Sequence, residues 1–295
     1  MSTQEETTVT TKRASFSSLA LAVAAMLWMA GLVWSARATI TGRGEATMEV
    51  TSSAYALPGA VSAALVAGAA VALAVVAAIT RRRTPGATTR FAVATGAGLL
   101  IGVLGALSLF TINTEGWVYA VMAGTVAAAA TIGGALAGFR TPGVLAAICW
   151  AAIAVFLIGV LLTFVQDVLF GIFGAGDTPA SQAGAASWYT LSQAVLSGLA
   201  AGLLVFFLLR RTSRPWPWYA LAGAGPGLLL VVAEILTRTA GARVLELAGK
   251  VSVLETTVQR LLSTSRLNSA LIVLFVGAIT AVIAIGRTIP RASDS

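Results

Sequence analysis

The chain has 295 residues, of which 58% are hydrophobic and only 10% charged, with a mean hydropathy of +0.90 and a formal net charge of +8. A water-facing globular surface needs about a quarter of its residues charged, so this composition excludes an ordinary soluble domain. With no histidine and one cysteine, Cys149, inside an apolar run, it also excludes Ser/His/Asp and Cys/His catalysis and zinc sites of the HExxH or Cys/His kind.

In chain order, a polar N-terminus over residues 1–15 is expected to be a disordered cytoplasmic segment. Eight apolar runs follow, at Phe16 to Trp34, Pro58 to Thr80, Phe91 to Ile112, Trp117 to Phe139, Val144 to Val165, Trp188 to Leu209, Trp218 to Thr237 and Leu267 to Ile285. Each is long enough to cross a hydrocarbon core roughly 30 Å thick. The fold class is therefore all-α: a polytopic integral membrane helical bundle of about eight transmembrane helices. Lys12 and Arg13 before the first run, and Ala36-Arg37-Ala38 after it, resemble a signal peptide with its cleavage site. The run exceeds the usual h-region of about 7–15 residues, so it reads as a retained span.

The basic residues set the orientation. A cytoplasmic N-terminus places Lys12, Arg13, Arg81, Arg82, Arg83, Arg90, Arg140, Arg210, Arg211, Arg214, Arg287 and Arg291 inside, against the acids Glu5, Glu6 and Asp294. This positive-inside asymmetry predicts a multi-pass plasma-membrane protein with both termini cytoplasmic, the tail being residues 287–295. Because the basic residues lie in short turns and not along one face, no nucleic-acid partner is expected. Trp34, Trp117 and Trp188 fall at predicted outer edges and Trp216 and Trp218 at an inner one, as an interfacial aromatic belt requires. The alanine and glycine bias suits a GC-rich bacterial genome.

A shift of about 129 residues lays the first three spans on the fifth, sixth and seventh, aligning Arg81 and Arg82 with Arg210 and Arg211, and Gly98 with Gly227. A shift of about 134 aligns Ser53, Tyr55 and Leu57 with Ser187, Tyr189 and Leu191. The expected plan is a 4+4 tandem repeat, with a first four-helix membrane unit over 16–140 and a second over 141–286. Glycines spaced by four, at Gly98 and Gly102, Gly134 and Gly138, and Gly198 and Gly202, predict close helix contacts.

After the fifth span, Gln166 and Asp167 lead into a glycine-rich exterior loop, Gly171 to Gly176, with Asp177 beyond. Two carboxylates so far apart are not a calcium loop, and no metal or cofactor site is expected anywhere in the chain. The seventh span carries Gly225, Pro226 and Gly227, where a helix break or kink is expected, and then its acid, Glu234. Glu234 lies about 24 Å along the helix from Trp218, within two turns of the outer surface, where Arg238 at i+4 can pair with it. The pair is a candidate structural ion pair or transport site.

Between spans seven and eight, residues 238–266 form a long exterior segment. Val244, Leu247, Val251, Leu254, Val258 and Leu261 recur at alternating steps of three and four, which predicts an extracytoplasmic amphipathic helix with a candidate interaction seam. Its partner would be another membrane protein, a second copy of the chain, or membrane lipid; packing on the chain's own outer face is the remaining possibility. The predicted acids are widely spaced and no residue offers an activated nucleophile, so an enzyme is disfavoured. The function expected is a non-enzymatic scaffold or accessory subunit of a membrane complex. The alternative is a small-solute or ion permease using the seventh helix and Glu234.

Overall fold

The computed structural model describes residues 2–41, 46–82, 85–111, 117–139, 141–212, 215–251 and 253–288, and every regular element among them is an α-helix. In chain order they are α1 (Ser2–Thr41), α2 (Ala46–Thr80), α3 (Ala87–Phe110), α4 (Trp117–Ala137), α5 (Pro142–Phe164), α6 (Gln166–Ile172), α7 (Pro179–Leu209), α8 (Trp216–Thr239), α9 (Ala242–Val251) and α10 (Val253–Gly286). All but α6 and α9 are long and apolar enough to cross a bilayer, which gives eight membrane-spanning helices at the eight expected places. The protein is a multi-pass, all-α integral membrane protein. In lipid such helices satisfy their own backbone hydrogen bonds, the condition for any spanning segment.

Three helices start well before their apolar runs. α2 begins at Ala46 instead of Pro58, α7 at Pro179 instead of Trp188, and α10 at Val253 instead of Leu267. Apolarity marks only the turns that meet hydrocarbon; once a helix is nucleated there, each added residue costs little. At 1.5 Å per residue, the 35 residues of α2 rise about 52 Å, well beyond a core of roughly 30 Å. α7 also has its own start signal. The Thr178 Oγ1 accepts a hydrogen bond from the Ser181 N–H at 3.2 Å, and Pro179 occupies the first turn.

α1 runs from Ser2, through the polar stretch that precedes the first apolar run; Met1 lies outside the described residues. The loop expected after the fifth span is partly helical, with α6 leading to Gly174, whose positive φ of 78° makes the turn toward α7. The Asn113 to Gly116 turn and residues 289–295 lie outside the described residues.

The chain divides into two compact units: Met1–Cys149 with Val232–Leu261, and Trp150–Val231 with Leu262–Ser295. The division falls inside α5, α8 and α10, and residues 232–261, expected with the second half, group with the first four helices.

In the first unit α2 is central, touching α1, α3, α4 and α9. Its buried face is largely alanine, including Ala60, Ala63, Ala64, Ala67 and Ala70, while leucines such as Leu27 and Leu100 elsewhere in the unit face outward. This is the reverse of a soluble core. Lipid is as apolar as leucine, so helices associate through small residues that let backbones approach. A Cβ on Gly68 would strike the Ala130 carbonyl, and one on Gly133 the Leu65 carbonyl; one on Gly98 would lie 2.5 Å from the Ala130 oxygen and 2.8 Å from Gly134 Cα. The second and third spans thus both close on the fourth, α4, through glycine.

The second unit does the same with its own fourth span, α10. A Cβ on Gly202 of α7 would lie 2.6 Å from the Gly277 oxygen, and Gly223 and Gly227 of α8 face Gly277 and Leu274 with no room for a side chain. Gly98 and Gly227 are the pair aligned by the shorter shift, and Gly68 and Gly202 are aligned by the longer one. Gly68 and Gly98 pack on α4, and Gly202 and Gly227 on α10. The turn after α7 is closed by Tyr219, whose hydroxyl donates to the Leu209 carbonyl at 3.0 Å, an acceptor left over at the helix end.

Candidate functional site

The seventh span brings an acid into the protein interior at its last turns. Glu234 is 4% exposed, and the Arg238 Nε donates to its Oε1 at 3.0 Å, with the Arg238 side chain 40% exposed. The i,i+4 spacing on α8 makes this geometry available, since residues four apart stack on one helix face. The arginine reaches out while its charged end neutralises the buried carboxylate, a snorkelling arrangement. Beside them Ala233 and Thr237 are buried, and the Thr237 hydroxyl donates to the Ala233 carbonyl at 2.8 Å.

Gly225, Pro226 and Gly227 do not break the helix. α8 is continuous from Trp216 to Thr239 with Pro226 inside it. Proline removes one backbone donor, which spanning helices tolerate when neighbours pack closely, and Gly223 and Gly227 on this stretch pack against α10. The unwound backbone that a carrier would use for ion coordination is absent from α8 as described.

The segment over residues 238–266 is helical through most of its described length. α9 ends at Val251, α10 begins at Val253, and Ser252 lies outside the described residues. Gly241 precedes α9 where a Cβ would come within 2.5 Å of the Leu57 side chain on α2, and Val244 is fully buried. The side chains of Leu247 and Val251 lie outside the described residues. Farther along, the seam turns outward: Leu254 is 73% and Leu261 66% exposed, Val258 is half-buried, and it is Gln259 that faces inward. One end of the predicted seam is thus an anchor on the first unit and the other an uncovered apolar pair.

Two arrangements have no single-residue sequence signal. Arg37 of α1 donates to the Ser108 carbonyl at 3.3 Å and the Thr111 Oγ1 at 3.1 Å, tying α1 to the end of α3. Hydroxyl residues near the end of α1 and the start of α2 also line a common crevice. Among the described residues no three His, Cys, Asp or Glu side chains gather around a common point where a metal ion could sit. No known protein-family model, curated protein or solved structure matches the chain.

Proposed function

We propose that this protein is a non-enzymatic scaffold or accessory subunit of a complex in the bacterial plasma membrane, with both termini cytoplasmic and residues 238–266 exterior. The observation that carries this reading is the exposure of Leu254 and Leu261 while Gln259 turns inward. Counting about 20 residues back from Ile285 puts the hydrocarbon boundary near Arg266, so both leucines fall beyond the hydrocarbon, Leu261 at headgroup depth and Leu254 farther out. Seven residues apart, they share one helix face about 10 Å long, a pattern suited to receiving a partner helix. Capping of the chain's own bundle would bury them instead.

The test is the mass of the detergent-solubilised native complex. Leu254→Asp with Leu261→Asp is expected to release a co-purifying membrane protein or to split an oligomer, leaving the fold intact. An unchanged mass would remove the basis for the reading. A small-solute or ion permease is the second reading, supported by the burial of Glu234 inside a spanning helix. It requires Glu234→Gln to abolish transport in reconstituted vesicles without altering assembly. Transport that survives the substitution would leave Glu234 with a structural role only.

A further inference from the structure

In the first unit one charged side chain lies half-buried without a partner. The Nε and Nη2 of Arg90 are covered by protein and make no hydrogen bond, while Nη1, on the same carbon, is not covered. Packing explains the placement. Arg90 is the fourth residue of α3, one turn before the fully buried Ala94, whose carbonyl oxygen would lie 2.6 Å from a Cβ on Gly134 of α4. Residues four apart share a helix face, so Arg90 continues the face that closes on α4. By contrast Arg81 and Arg82, just past the end of α2, are exposed.

The depth is that of lipid headgroups. The 24 residues of α3 rise about 36 Å, roughly 3 Å beyond a hydrocarbon core of about 30 Å at each end, and Arg90 stands about 4.5 Å along the helix. Long helical side chains lean toward the N-terminus, which carries the guanidinium outward to the phosphate level. There Phe91 and Phe139, both exposed, meet edge-on with ring centroids 6.4 Å apart and offer apolar surface. The neighbouring turns supply no counter-ion. The sequence has no acid from Val50 to Thr114 or from Gly116 to Gln166, although these stretches carry Arg81, Arg82, Arg83, Arg90 and Arg140. Gly86 also precedes α3 with no side chain to cap it, so the positive end of the helix dipole adds to the field.

A guanidinium left unpaired under protein costs free energy that an anion with two oxygens removes, because Nη1 and Nη2 form a fork matched to phosphate. Rotation about the arginine's own bonds turns Nη2 out beside Nη1. We propose that Arg90 holds the phosphate of an anionic phospholipid, with the lipid's chains beside Phe91 and Phe139 and the exposed Arg81 and Arg82 favouring a net negative headgroup. Free phosphate carries the same oxygens but makes no use of the aromatic surface. The site belongs to the first unit alone and does not depend on the partner surface at Leu254.

Native mass spectrometry of the full-length protein tests this, using phosphatidylglycerol, phosphatidylcholine with identical chains, and inorganic phosphate. Wild-type protein should retain phosphatidylglycerol more strongly than phosphatidylcholine, and Arg90→Met should lower that retention about tenfold. Arg82→Met, which removes an exposed charge, should lower it less. Arg90→Lys keeps the charge without the fork and should fall between wild type and Arg90→Met. In lipid-free detergent Arg90→Met should melt no lower than wild type, since it deletes an unpaired charge, and added phosphatidylglycerol should raise the melting temperature of wild type alone. Equal phosphatidylglycerol retention by wild type and Arg90→Met, or an equal loss from Arg82→Met, would overturn the site. Displacement of the lipid by excess inorganic phosphate would overturn the phospholipid assignment. A lower melting temperature of Arg90→Met in lipid-free detergent would show that the guanidinium is already partnered and would overturn the premise.

Discussion

Gly68→Val is expected to prevent the first unit from assembling, with a loss of about 3 kcal/mol or more. The new side chain would meet the carbonyl, carbon and Cα of Ala130, all backbone atoms, so the only relief is to separate α2 from α4. Flexible neighbours could have adjusted; a helix backbone cannot without giving up contacts along its length. Gly124→Val provides the control on α4 itself, because nothing lies within 4 Å of a Cβ there. That change should be close to neutral, within about 1 kcal/mol. Thermal unfolding in detergent, followed by size-exclusion monodispersity, distinguishes the two. Gly202→Val should disrupt the second unit in the same manner, because its Cβ would lie 2.6 Å from both the Gly277 oxygen and the Thr280 Cβ. Equal melting temperatures for the Gly68 and Gly124 variants would show that α2 and α4 do not meet as described.

Arg238→Met should destabilise the protein more than Glu234→Gln, although each deletes the same 3.0 Å contact. The reason is the difference in exposure, 4% for the acid and 40% for the base. Removing the base leaves a buried carboxylate without this cation, at a cost of about 1–3 kcal/mol. Removing the acid leaves an arginine that can turn toward water or headgroups. The double variant should therefore regain part of what Arg238→Met loses, and a double-mutant cycle should give a coupling of about 0.5–3 kcal/mol. If the two single variants melt alike and the double adds their losses, the pair carries no stabilising interaction.

The spanning helices were legible because each apolar run carries its own evidence. Leu21, Ala25 and Leu27 place α1 in lipid whatever α1 packs against. Their water-side ends were not legible: residues 46–57, 179–187 and 253–266 have no apolar requirement once they leave the hydrocarbon, yet they remain helical. Pro226 with its flanking glycines suggested a break because local propensity treats Gly and Pro as interrupters. In α8 Gly227 instead makes a close interface with α10 possible, and the helix runs through Pro226, so tertiary contact overrides propensity. Glu234 and Arg238 were recognisable as a pair from their spacing alone, while the burial of one and the exposure of the other depended on α8's surroundings. The stripe from Val244 to Leu261 is periodic in the sequence, but periodicity does not tell which of its members are covered.

By itself, then, the sequence determined that this chain resides in a membrane, how many times it can cross, and where its basic turns lie. These are sums over one helix at a time, set by the free energy of moving each residue from water to hydrocarbon. Tertiary structure decided which helices share a unit, that residues 232–261 join the first four, which glycines meet backbone, and that α1 and α2 leave a hydroxyl-lined crevice between them. Those outcomes depend on how each helix is rotated about its axis. In water an apolar stripe would specify that rotation; in lipid an outward Leu100 and an inward Ala67 are equally well solvated, so only packing against neighbours can choose between them.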